Sequence, residues 1–466
     1  MFKIKTNIAL SSKTFIVGGT VRDIIIGIPP KDIDIVTLGD PKRLAQDIAA
    51  NVRGQIIELG KPGMKIFRIV TKEQAYDIAP ANGKSLKADL NKRDFTINAM
   101  AMPLDTIHDN QKIIDPHNGI DDLNHKTIRM ISSANLRTDP IRLLRAYRIG
   151  SLLNFTIDPK TSRAIKNTSS VIYTSAGERI KDELVKLLNT PRSHRYLLMM
   201  NDTGLLTAVF PELSPLKGCT QNAFHQYDAF EHTLKAYGFL ERLLHDPDSM
   251  ASEIINLKSL LPASKHYAML KYAILLHDIG KPTMRSIDPK GRIHFYRHEK
   301  ISADMAAKIN QRLRLSNQEQ RYTDFIIRHH LSLLSLFTAY TQNRLSKKAI
   351  ARFFLKGEHM TKDLLIHTTA DLYGKGTNKN IRKNTRAFIE FLNHMIIQYN
   401  HSFLPKKSNP PLITGDDLIT EFGLKPSPLF SKILHHVEEA RFSDHITTRK
   451  EAFIHVKEFL NLRNRS

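Results

Sequence analysis

The sequence predicts an α+β protein in which an N-terminal head built on a mixed β-sheet is followed by helical regions only. Strand and helix patterns alternate along about the first quarter of the chain, which favours a sheet with helices packed on it. After about residue 125, long helical patterns dominate. The chain has 466 residues, which is enough for roughly three domains.

The elements of the head follow one another at short intervals. Short apolar runs predict strands, and these lie at Thr14–Val17, Ile33–Leu38, Gln55–Leu59, Met64–Val70 and Gln74–Ile78. Helical patterns in the head cover Val21–Ile28 and Pro41–Val52. Beyond the head, helices are predicted at Pro140–Leu153, Ala176–Leu188 and Arg195–Thr203.

These patterns divide the chain into four predicted parts. They are a mixed α/β head (residues 1–125), a helical neck (126–220), a histidine-rich helical domain (225–375) and a helical tail (376–466). A polar and basic break, Gly374–Lys383, marks the start of the tail. The stretch Pro405–Pro411 predicts a linker or a turn within it.

The charge balance favours a polyanionic partner. The chain carries 69 Lys+Arg against 46 Asp+Glu, a formal net charge of +23, and a basic surface attracts nucleic acid. An anionic membrane is the weaker alternative, because no basic amphipathic helix with an aromatic face is present.

The sequence also indicates the compartment. The single cysteine, Cys219, allows no intrachain disulfide and fits a reducing environment. No run of 18 apolar residues predicts a membrane span. The start, Met1–Lys5, lacks the features of a signal peptide, so we expect a cytoplasmic protein.

The first candidate site begins at a glycine pair. Gly18 and Gly19 lie between a predicted strand and a predicted helix, where the absence of a Cβ lets the backbone approach a phosphate. The first N–H groups of the helix would face the same place, and Arg22 adds a fork of donors.

Two carboxylates follow on the next predicted strand. Asp32 and Asp34 are two residues apart, so they point to the same face of the strand. Two Mg²⁺ ions about 4 Å apart would offset their repulsion and clamp an in-line phosphoryl displacement. The alternative is a solvated strand edge with Lys31 and Lys42 as partners. A third acid, Asp77, lies in a later strand, where a catalytic role and a solvent-facing strand end are about equally supported.

The order of these motifs resembles the head domain of the tRNA nucleotidyltransferase/poly(A) polymerase family. Further motifs of that family follow in order: Lys92–Met100, Asp115–Leu123, Asp139–Arg148 and Glu178–Ile180 with Glu183-Leu184. The resemblance spans about residues 14–215. It implies template-independent nucleotidyl transfer to an RNA 3′ end.

The resemblance also implies roles for individual residues. Arg93 and Asp94 would bond the ribose, and Asp139 with Arg142, one helical turn apart, would pair with the edge of the incoming base. Arg145 would hold the triphosphate. For Asp139 the alternative is a helix N-cap, because a proline follows it.

This sequence departs from the family pattern at two positions, where Thr138 replaces a glutamate and Lys92 an arginine. Only 16 residues separate Asp77 from Asp94. In the length of this segment the chain resembles family members that add only part of the CCA end.

A second candidate site is a spaced series of histidines and aspartates. The series comprises His232, His277, Asp278, His298, His329 and Asp371. Imidazoles and carboxylates on neighbouring helices can hold one or two metal ions, and the series resembles the HD superfamily of metal-dependent phosphohydrolases. The resemblance implies a second divalent transition metal that activates water. The alternative is a domain retained for architecture or RNA binding.

The sequence therefore predicts addition of C, A or both from CTP and ATP to the 3′ end of tRNA, with Mg²⁺ as cofactor, by a monomer or homodimer. One alternative is a poly(A) polymerase, although the HD-like series favours tRNA as the substrate. The other is an HD-type phosphohydrolase that acts on RNA 3′ or cyclic phosphates.

Overall fold

The computed structural model describes residues 13–60, 65–104, 112–250, 254, 257–261 and 267–463. The chain divides into two compact units, Met1–Val209 and Phe210–Ser466. The start of the chain and Met64, the first residue of one predicted strand, lie outside the described residues. The finer division into four parts stays a prediction.

The first unit is built around a mixed sheet that has six strands in the described part of the chain, in the order β3-β4-β5-β2-β1-β6. The strands are β1 (Thr14–Val17), β2 (Asp32–Thr37), β3 (Gln55–Leu59), β4 (Ile66–Val70), β5 (Ala75–Pro80) and β6 (Ala101–Pro103). Strands β2 and β5 are parallel, and the other pairs are antiparallel. The predicted mixed sheet is therefore confirmed.

Alternation of apolar residues explains why one face of the sheet is buried. On β2, Ile33 and Ile35 are almost fully buried, whereas Asp32 and Asp34 point the other way. Asp40 is the N-cap of helix α2 (Pro41–Val52), because its side chain accepts a hydrogen bond from the N–H of Lys42. Helix α2 contacts β4 and β5.

The remaining elements of the first unit are short strands and helices. The helices of this unit besides α2 are α1 (Gly19–Ile25), α3 (Leu86–Asn91), α4 (Gly119–Asn124), α5 (Ser133–Thr138), α6 (Ile141–Leu153), α7 (Pro159–Thr168), α8 (Gly177–Leu188), α9 (Ser193–Asp202) and α10 (Leu205–Val209). The strands β7 (Thr127–Ile128) and β8 (Thr156–Ile157) form a small parallel pair. Helix α6 packs on α8 and α9.

Among its described residues, the second unit has helices and the two-residue strands β9 (Ser286–Ile287) and β10 (Ile293–His294) as its regular structure. Its first helices are α11 (Ala229–His245), α12 (Leu257–Leu260), α13 (Tyr267–Leu276), α14 (Lys281–Met284), α15 (His298–Arg312), α16 (Asn317–His329), α17 (Ser332–Thr341), α18 (Lys347–Gly357) and α19 (Thr361–Gly374). The chain then forms α20 (Lys379–Gln398), α21 (Leu404–Ser408), α22 (Gly415–Thr420), α23 (Pro428–Phe442) and α24 (Arg449–Arg463).

The end of the chain has an apolar cluster of its own. Residues such as Leu418, Ile433 and Val456 are fully buried in it. The prediction of a linker at Pro405–Pro411 is wrong at its start, because Leu404–Ser408 is helical. The helical run continues from α20 through the π-helical turn Tyr399–Phe403 into α21, and the irregular hydrogen bonding of that turn accommodates Pro405, which has no N–H to donate. None of the described helices is long and apolar enough to cross a membrane.

Candidate active site and a second, histidine-rich site

The predicted glycine turn packs directly against charged side chains of the first unit. Gly18 has a φ of +72°, which favours glycine. A Cβ at this position would lie 2.7 Å from Nη1 of Arg93 and 3.6 Å from Oδ2 of Asp34. The missing Cβ therefore leaves space for Asp34, a predicted metal ligand, and for Arg93, a predicted ribose contact.

Two of the predicted acids lie on neighbouring strands. Asp34 of β2 and Asp77 of β5 are direct partners in the parallel register, and Asp32 precedes Asp34 on the same face. Burial, together with the charges of Asp77 and Asp32, raises the pKa of Asp34 to about 6, although Arg93 opposes the shift. Carboxylates gathered in this way favour a bound cation.

The structure adds a residue that the sequence did not single out. Arg68 of β4 lies opposite Asp77 in the antiparallel register. Its Nε and Nη2 donate to the two carboxylate oxygens of Asp77, at 2.7 and 2.6 Å. The available signal was a lone charge inside the apolar strand Ile66–Val70, but its partner depends on strand pairing.

Arg22 is buried, and its donors are taken by neighbours. Its Nη1 donates to Oδ1 of Asn98 at 2.8 Å, and its Nε donates to Oδ1 of Asp23 at 2.8 Å. A Cβ on Gly19 would lie 3.4 Å from Nη2 of Arg22. Arg22 thus links helix α1, directly after the glycine turn, to the segment that contains Asn98.

Asp94 is the centre of a buried ion-pair network. Its carboxylate accepts hydrogen bonds from Nε of Arg145 at 2.8 Å, from the N–H of Phe95 at 2.8 Å and from Nδ2 of Asn98 at 3.1 Å. Burial by itself would raise the pKa of Asp94, but the charge of Arg145 and these hydrogen bonds lower it to about 2. Arg93 is held separately, with its Nε 3.0 Å from Oδ2 of Asp89.

The predicted brace on α8 contacts the arginines of α6. Nε of Arg148 donates to Oε2 of Glu183 at 2.5 Å, and Nη1 of Arg145 lies 3.8 Å from Oε1 of Glu183. The structure therefore places Arg145 between two acids, Asp94 and Glu183. This arrangement keeps its guanidinium charged and in place.

The predicted base-reading pair is also brought together. Nε of Arg142 lies 3.7 Å from Oδ2 of Asp139, and Nη1 of Arg142 donates to the carbonyl of Lys92 at 2.8 Å. Two nitrogens of Arg179 contact the two oxygens of Asp139, at 2.9 and 3.1 Å. The alternative that Asp139 caps the helix is wrong, because α6 starts after Pro140 and has no side-chain cap.

In the second unit, five elements bring the predicted histidines and aspartates together. Oδ1 of Asp371 lies 2.9 Å from Nε2 of His232 and 3.4 Å from Nε2 of His277. Oδ2 of Asp278 lies 3.1 Å from Nε2 of His277, and its Oδ1 lies 3.1 Å from Nε2 of His298. All five side chains are almost fully buried.

Backbone contacts orient the imidazoles of this cluster. Nδ1 of His277, His298 and His330 each lies 2.7–2.8 Å from a backbone carbonyl three residues earlier. A hydrogen bond there requires Nδ1 to carry a hydrogen, and it directs Nε2, the nitrogen that a neutral imidazole would offer to a metal, toward Asp278. This is the usual outer support of metal-bound histidine, and the donor set fits a divalent metal.

The structure corrects one member of the predicted series. His330, not His329, lies in the cluster, with Nε2 3.9 Å from Oδ1 of Asp278. His329 is half-buried and packs on the ring of Phe325 instead. Neighbouring residues at the end of a helix point about 100° apart, so only one of the two can face the cluster.

Two further residues join the cluster without having been predicted. Nζ of Lys281 lies 2.6 Å from Oδ2 of Asp278. The ring of His367 is fully buried 5.3 Å from that of His277, and its nitrogens have no hydrogen-bond partner among the described residues. His367 lies one helical turn before Asp371, a spacing that the sequence could have shown.

The first unit has the fold of a nucleotidyltransferase head. Residues 14–129 match the family described as Poly A polymerase head domain. Residues 154–217 match the "Probable RNA and SrmB-binding site of polymerase A", and residues 287–456 match "tRNA nucleotidyltransferase domain 2 putative".

Relatives and solved structures agree with these matches. The A-adding tRNA nucleotidyltransferase of Deinococcus radiodurans is 30% identical over 94% of this chain and 93% of its own. The CC-adding tRNA nucleotidyltransferase of Thermus thermophilus is 28% identical over 94% and 92%. The fold matches a CCA-adding enzyme solved with CTP, with a TM-score of 0.63 at 18% identity over 96% of this chain and 91% of that one.

The chain belongs to the tRNA nucleotidyltransferase family, whose members add nucleotides to the 3′ end of tRNA. It is therefore an enzyme, and the predicted family and fold class are confirmed. Enzymes of this family use a divalent metal. The roles of individual residues stay predictions.

Proposed function

We propose that this enzyme adds C, A or both from CTP and ATP to the 3′ end of tRNA at the Asp34–Asp77 edge of the head. The observation that carries the proposal is the in-register pairing of Asp34 with Asp77 beside the Gly18 turn. Solved structures of the same fold hold tRNA, CTP or ATP, which supports these as substrates.

The proposed metal is Mg²⁺, and its ligands are Asp32, Asp34 and Asp77. Bound there, Mg²⁺ would supply a Lewis acid for the tRNA 3′-hydroxyl and would offset the charge that develops on the α-phosphate. The carboxylates must be ionised to hold it. Arg68 donates to both oxygens of Asp77. Each oxygen keeps a second lone pair, so Asp77 can bind the metal while Arg68 holds the carboxylate in place.

The other predicted residues hold the nucleotide around this edge. Arg93 and Asp94 contact the ribose, and Arg145, anchored by Asp94, faces the triphosphate. Gly18 and Gly19 allow the phosphates to approach the backbone, and Arg22 holds that turn through Asn98. Asp139 and Arg142 act on the edge of the incoming base rather than on the phosphates.

We further propose that the enzyme builds only part of the CCA end. The 16 residues between Asp77 and Asp94 form a short segment, and two relatives aligned over 94% of this chain are named A-adding and CC-adding. Three tRNA substrates distinguish CC addition, A addition and addition of the whole CCA end. One ends before CCA, one ends in CC and one ends in CCA. Labelled CTP or ATP is supplied, and the residues added are counted.

The matched test of the site is Asp32→Ala. Asp32 is exposed, so the variant should fold and bind tRNA as the wild type does, while transfer is abolished. Asp40→Ala, which removes only a helix cap, is the control. Extension of tRNA by Asp32→Ala would show that the metal assignment is wrong, and long A tails on unstructured RNA without CTP use would indicate a poly(A) polymerase.

The histidine-rich site supports a second candidate function, metal-dependent hydrolysis of a phosphoester. The observation that favours it is the convergence of imidazole Nε2 atoms on the two oxygens of Asp278. A metal bound there would lower the pKa of a water molecule and supply hydroxide. Hydrolysis should be lost in Asp278→Ala and kept in Asp32→Ala. Loss in Asp32→Ala instead would place that activity in the head.

We also propose that the chain has the four parts given above. The tail, residues 376–466, would bind the tRNA backbone. A cytoplasmic location goes with tRNA as substrate. Whether the enzyme is a monomer or a homodimer is decided by sedimentation of the full chain with and without tRNA.

A further inference from the structure

The sheet of the first unit has an open apolar face beside its paired acids. Four aliphatic side chains of β3 and β4 are 38–42% exposed and form what we call the β3–β4 face: Ile57, Leu59, Ile66 and Val70. A sheet face that is open to water normally carries polar residues. Exposed apolar groups that lie together on one surface therefore indicate a contact surface.

Strand pairing places the β3–β4 face next to the acids. Ile57 of β3 is the direct partner of Arg68 on β4, and Arg68 is the partner of Asp77 on β5. Asp77 in turn pairs with Asp34 on β2. Paired residues of neighbouring strands point to the same side of a sheet, so one row of side chains runs from the apolar face to the carboxylates. With strands about 4.8 Å apart, Ile57 lies about 10 Å from Asp77, which is roughly the span of one nucleoside.

The other side of the same strands is part of the core. Ile56 of β3 points to that side, and its partner Ile69 is fully buried there. Helix α2 contacts β3, β4 and β5. The exposed apolar surface next to the carboxylates thus belongs to the side of the sheet that carries Asp34 and Asp77.

The direction of nucleotidyl transfer gives the β3–β4 face a place in the reaction. The strand order is β3-β4-β5-β2-β1, and the glycine turn that follows β1 approaches Asp34 from the β1 side. The attacking and leaving oxygens of an in-line displacement lie on opposite sides of the phosphorus. With the triphosphate at the glycine turn, the attacking hydroxyl comes from the β4 side of the acids.

We propose that the β3–β4 face holds the terminal nucleotide of the acceptor RNA, with its base against Ile57 and Ile66 and its 3′-hydroxyl directed to the Asp34–Asp77 pair. The proposal rests on the proposed function, because it takes that pair as the centre of transfer. Apolar side chains contact the flat surface of a base, which every base offers. The guanidinium of Arg68, held by two hydrogen bonds to Asp77, adds a planar cation on which a base stacks. The face therefore accepts an acceptor end whatever its base is.

Equilibrium binding of an acceptor end tests the proposal without any transfer. Two RNA minihelices with the shape of a tRNA acceptor stem are compared in Mg²⁺, without CTP or ATP. One ends in a normal nucleotide, and the other ends in an abasic ribose that keeps its 3′-hydroxyl. The full-length wild type should bind the base-bearing end at least about fivefold more tightly, because contact with one base supplies about that much affinity. Equal affinities for the two ends would overturn the proposal.

Substitutions on the two sides of one strand separate contact with the base from folding. Ile57→Thr and Ile66→Thr keep a β-branched side chain in the strand. Each should reduce the preference for the base-bearing end at least about threefold and leave the affinity for the abasic end unchanged. Ile56→Thr is the matched control, since Ile56 is 38% exposed on the same strand and points to the other side. An unchanged preference in both face variants, or an equal loss in Ile56→Thr, would count against the face as the site of the base.

Kinetics and sedimentation distinguish the related outcomes. With the nucleotide that the wild type adds, both face variants should lower kcat/KM for the minihelix and leave KM for the nucleotide unchanged. Extension that neither variant impairs contradicts this inference and leaves the proposed function standing. Binding that depends on the base and on Ile57, without any extension by the wild type, supports the inference and contradicts the proposed function. A dimer that dissociates in Ile57→Thr would instead make the face an interface between two copies and overturn the proposal.

Discussion

The buried link between Asp94 and Arg145 allows a quantitative prediction. Asp94→Asn keeps the shape of the side chain and an acceptor for the N–H of Phe95, but it removes the charge that Arg145 contacts at 2.8 Å. The pKa of Asp94 is about 2, against an ordinary value of 3.8. Each unit corresponds to about 1.4 kcal/mol, so the ionised carboxylate contributes about 2 kcal/mol to the free energy of unfolding at neutral pH.

The pH dependence follows from the direction of this shift. Because the pKa of Asp94 is lowered in the folded protein, its contribution is fully present above pH 3.8 and is lost as the pH falls toward 2. Between pH 5 and 8 the difference between wild type and Asp94→Asn should therefore stay constant. For a unit of this size, 2 kcal/mol corresponds to a fall in Tm of about 4–8 °C.

Scanning calorimetry of the full chain measures this difference, and hydrogen exchange of residues 94–104 assigns the transition to the first unit. Asp121→Asn is the matched control, since that aspartate is 67% exposed in its ion pair and such pairs contribute little. In a double-mutant cycle with Arg145→Met, the double variant should lose less free energy of unfolding than the two single variants lose in sum. Additive effects, or a wild-type Tm for Asp94→Asn, would refute the reasoning.

Three other substitutions address the remaining sites. Gly18→Ala should slow tRNA extension at least about tenfold by displacing Arg93, since its Cβ would lie 2.7 Å from Nη1 of that residue. A wild-type rate constant for transfer in single-turnover assays would contradict this. Arg179→Ala should raise the kcat/KM for UTP and GTP relative to CTP and ATP, while Tm changes little because the pair is partly exposed; an unchanged ratio would show that Arg179 does not position Asp139. His330→Ala should lower the Co²⁺ bound per chain, measured by elemental analysis, whereas His329→Ala should not; equal losses would count against the corrected ligand set.

Features that depend on neighbouring residues could be predicted from the sequence. The strand that carries Asp32 and Asp34, the glycine turn at Gly18 and the helix that carries Arg142 and Arg145 all appear in the structure. Alternation along a strand and the 3.6-residue period of a helix are local properties. The ordered motifs were also sufficient to predict the family.

Pairings between distant residues required the tertiary structure. Arg68 reaches Asp77 because β4 and β5 are antiparallel neighbours, and Arg145 reaches Asp94 across 51 residues. The same holds for Arg179, which contacts the carboxylate of Asp139 across 40 residues. No local pattern specifies which strand or helix a charged side chain will face.

The sequence by itself determined that this chain has a glycine turn, paired carboxylates and a series of histidines with metal-ligand chemistry. Only the tertiary structure decided that His330 faces the cluster while His329 turns away, and that an apolar sheet face adjoins the paired carboxylates. The physical reason is the same in both cases. The type and order of residues limit the chemistry, whereas helix rotation and packing decide which atoms meet.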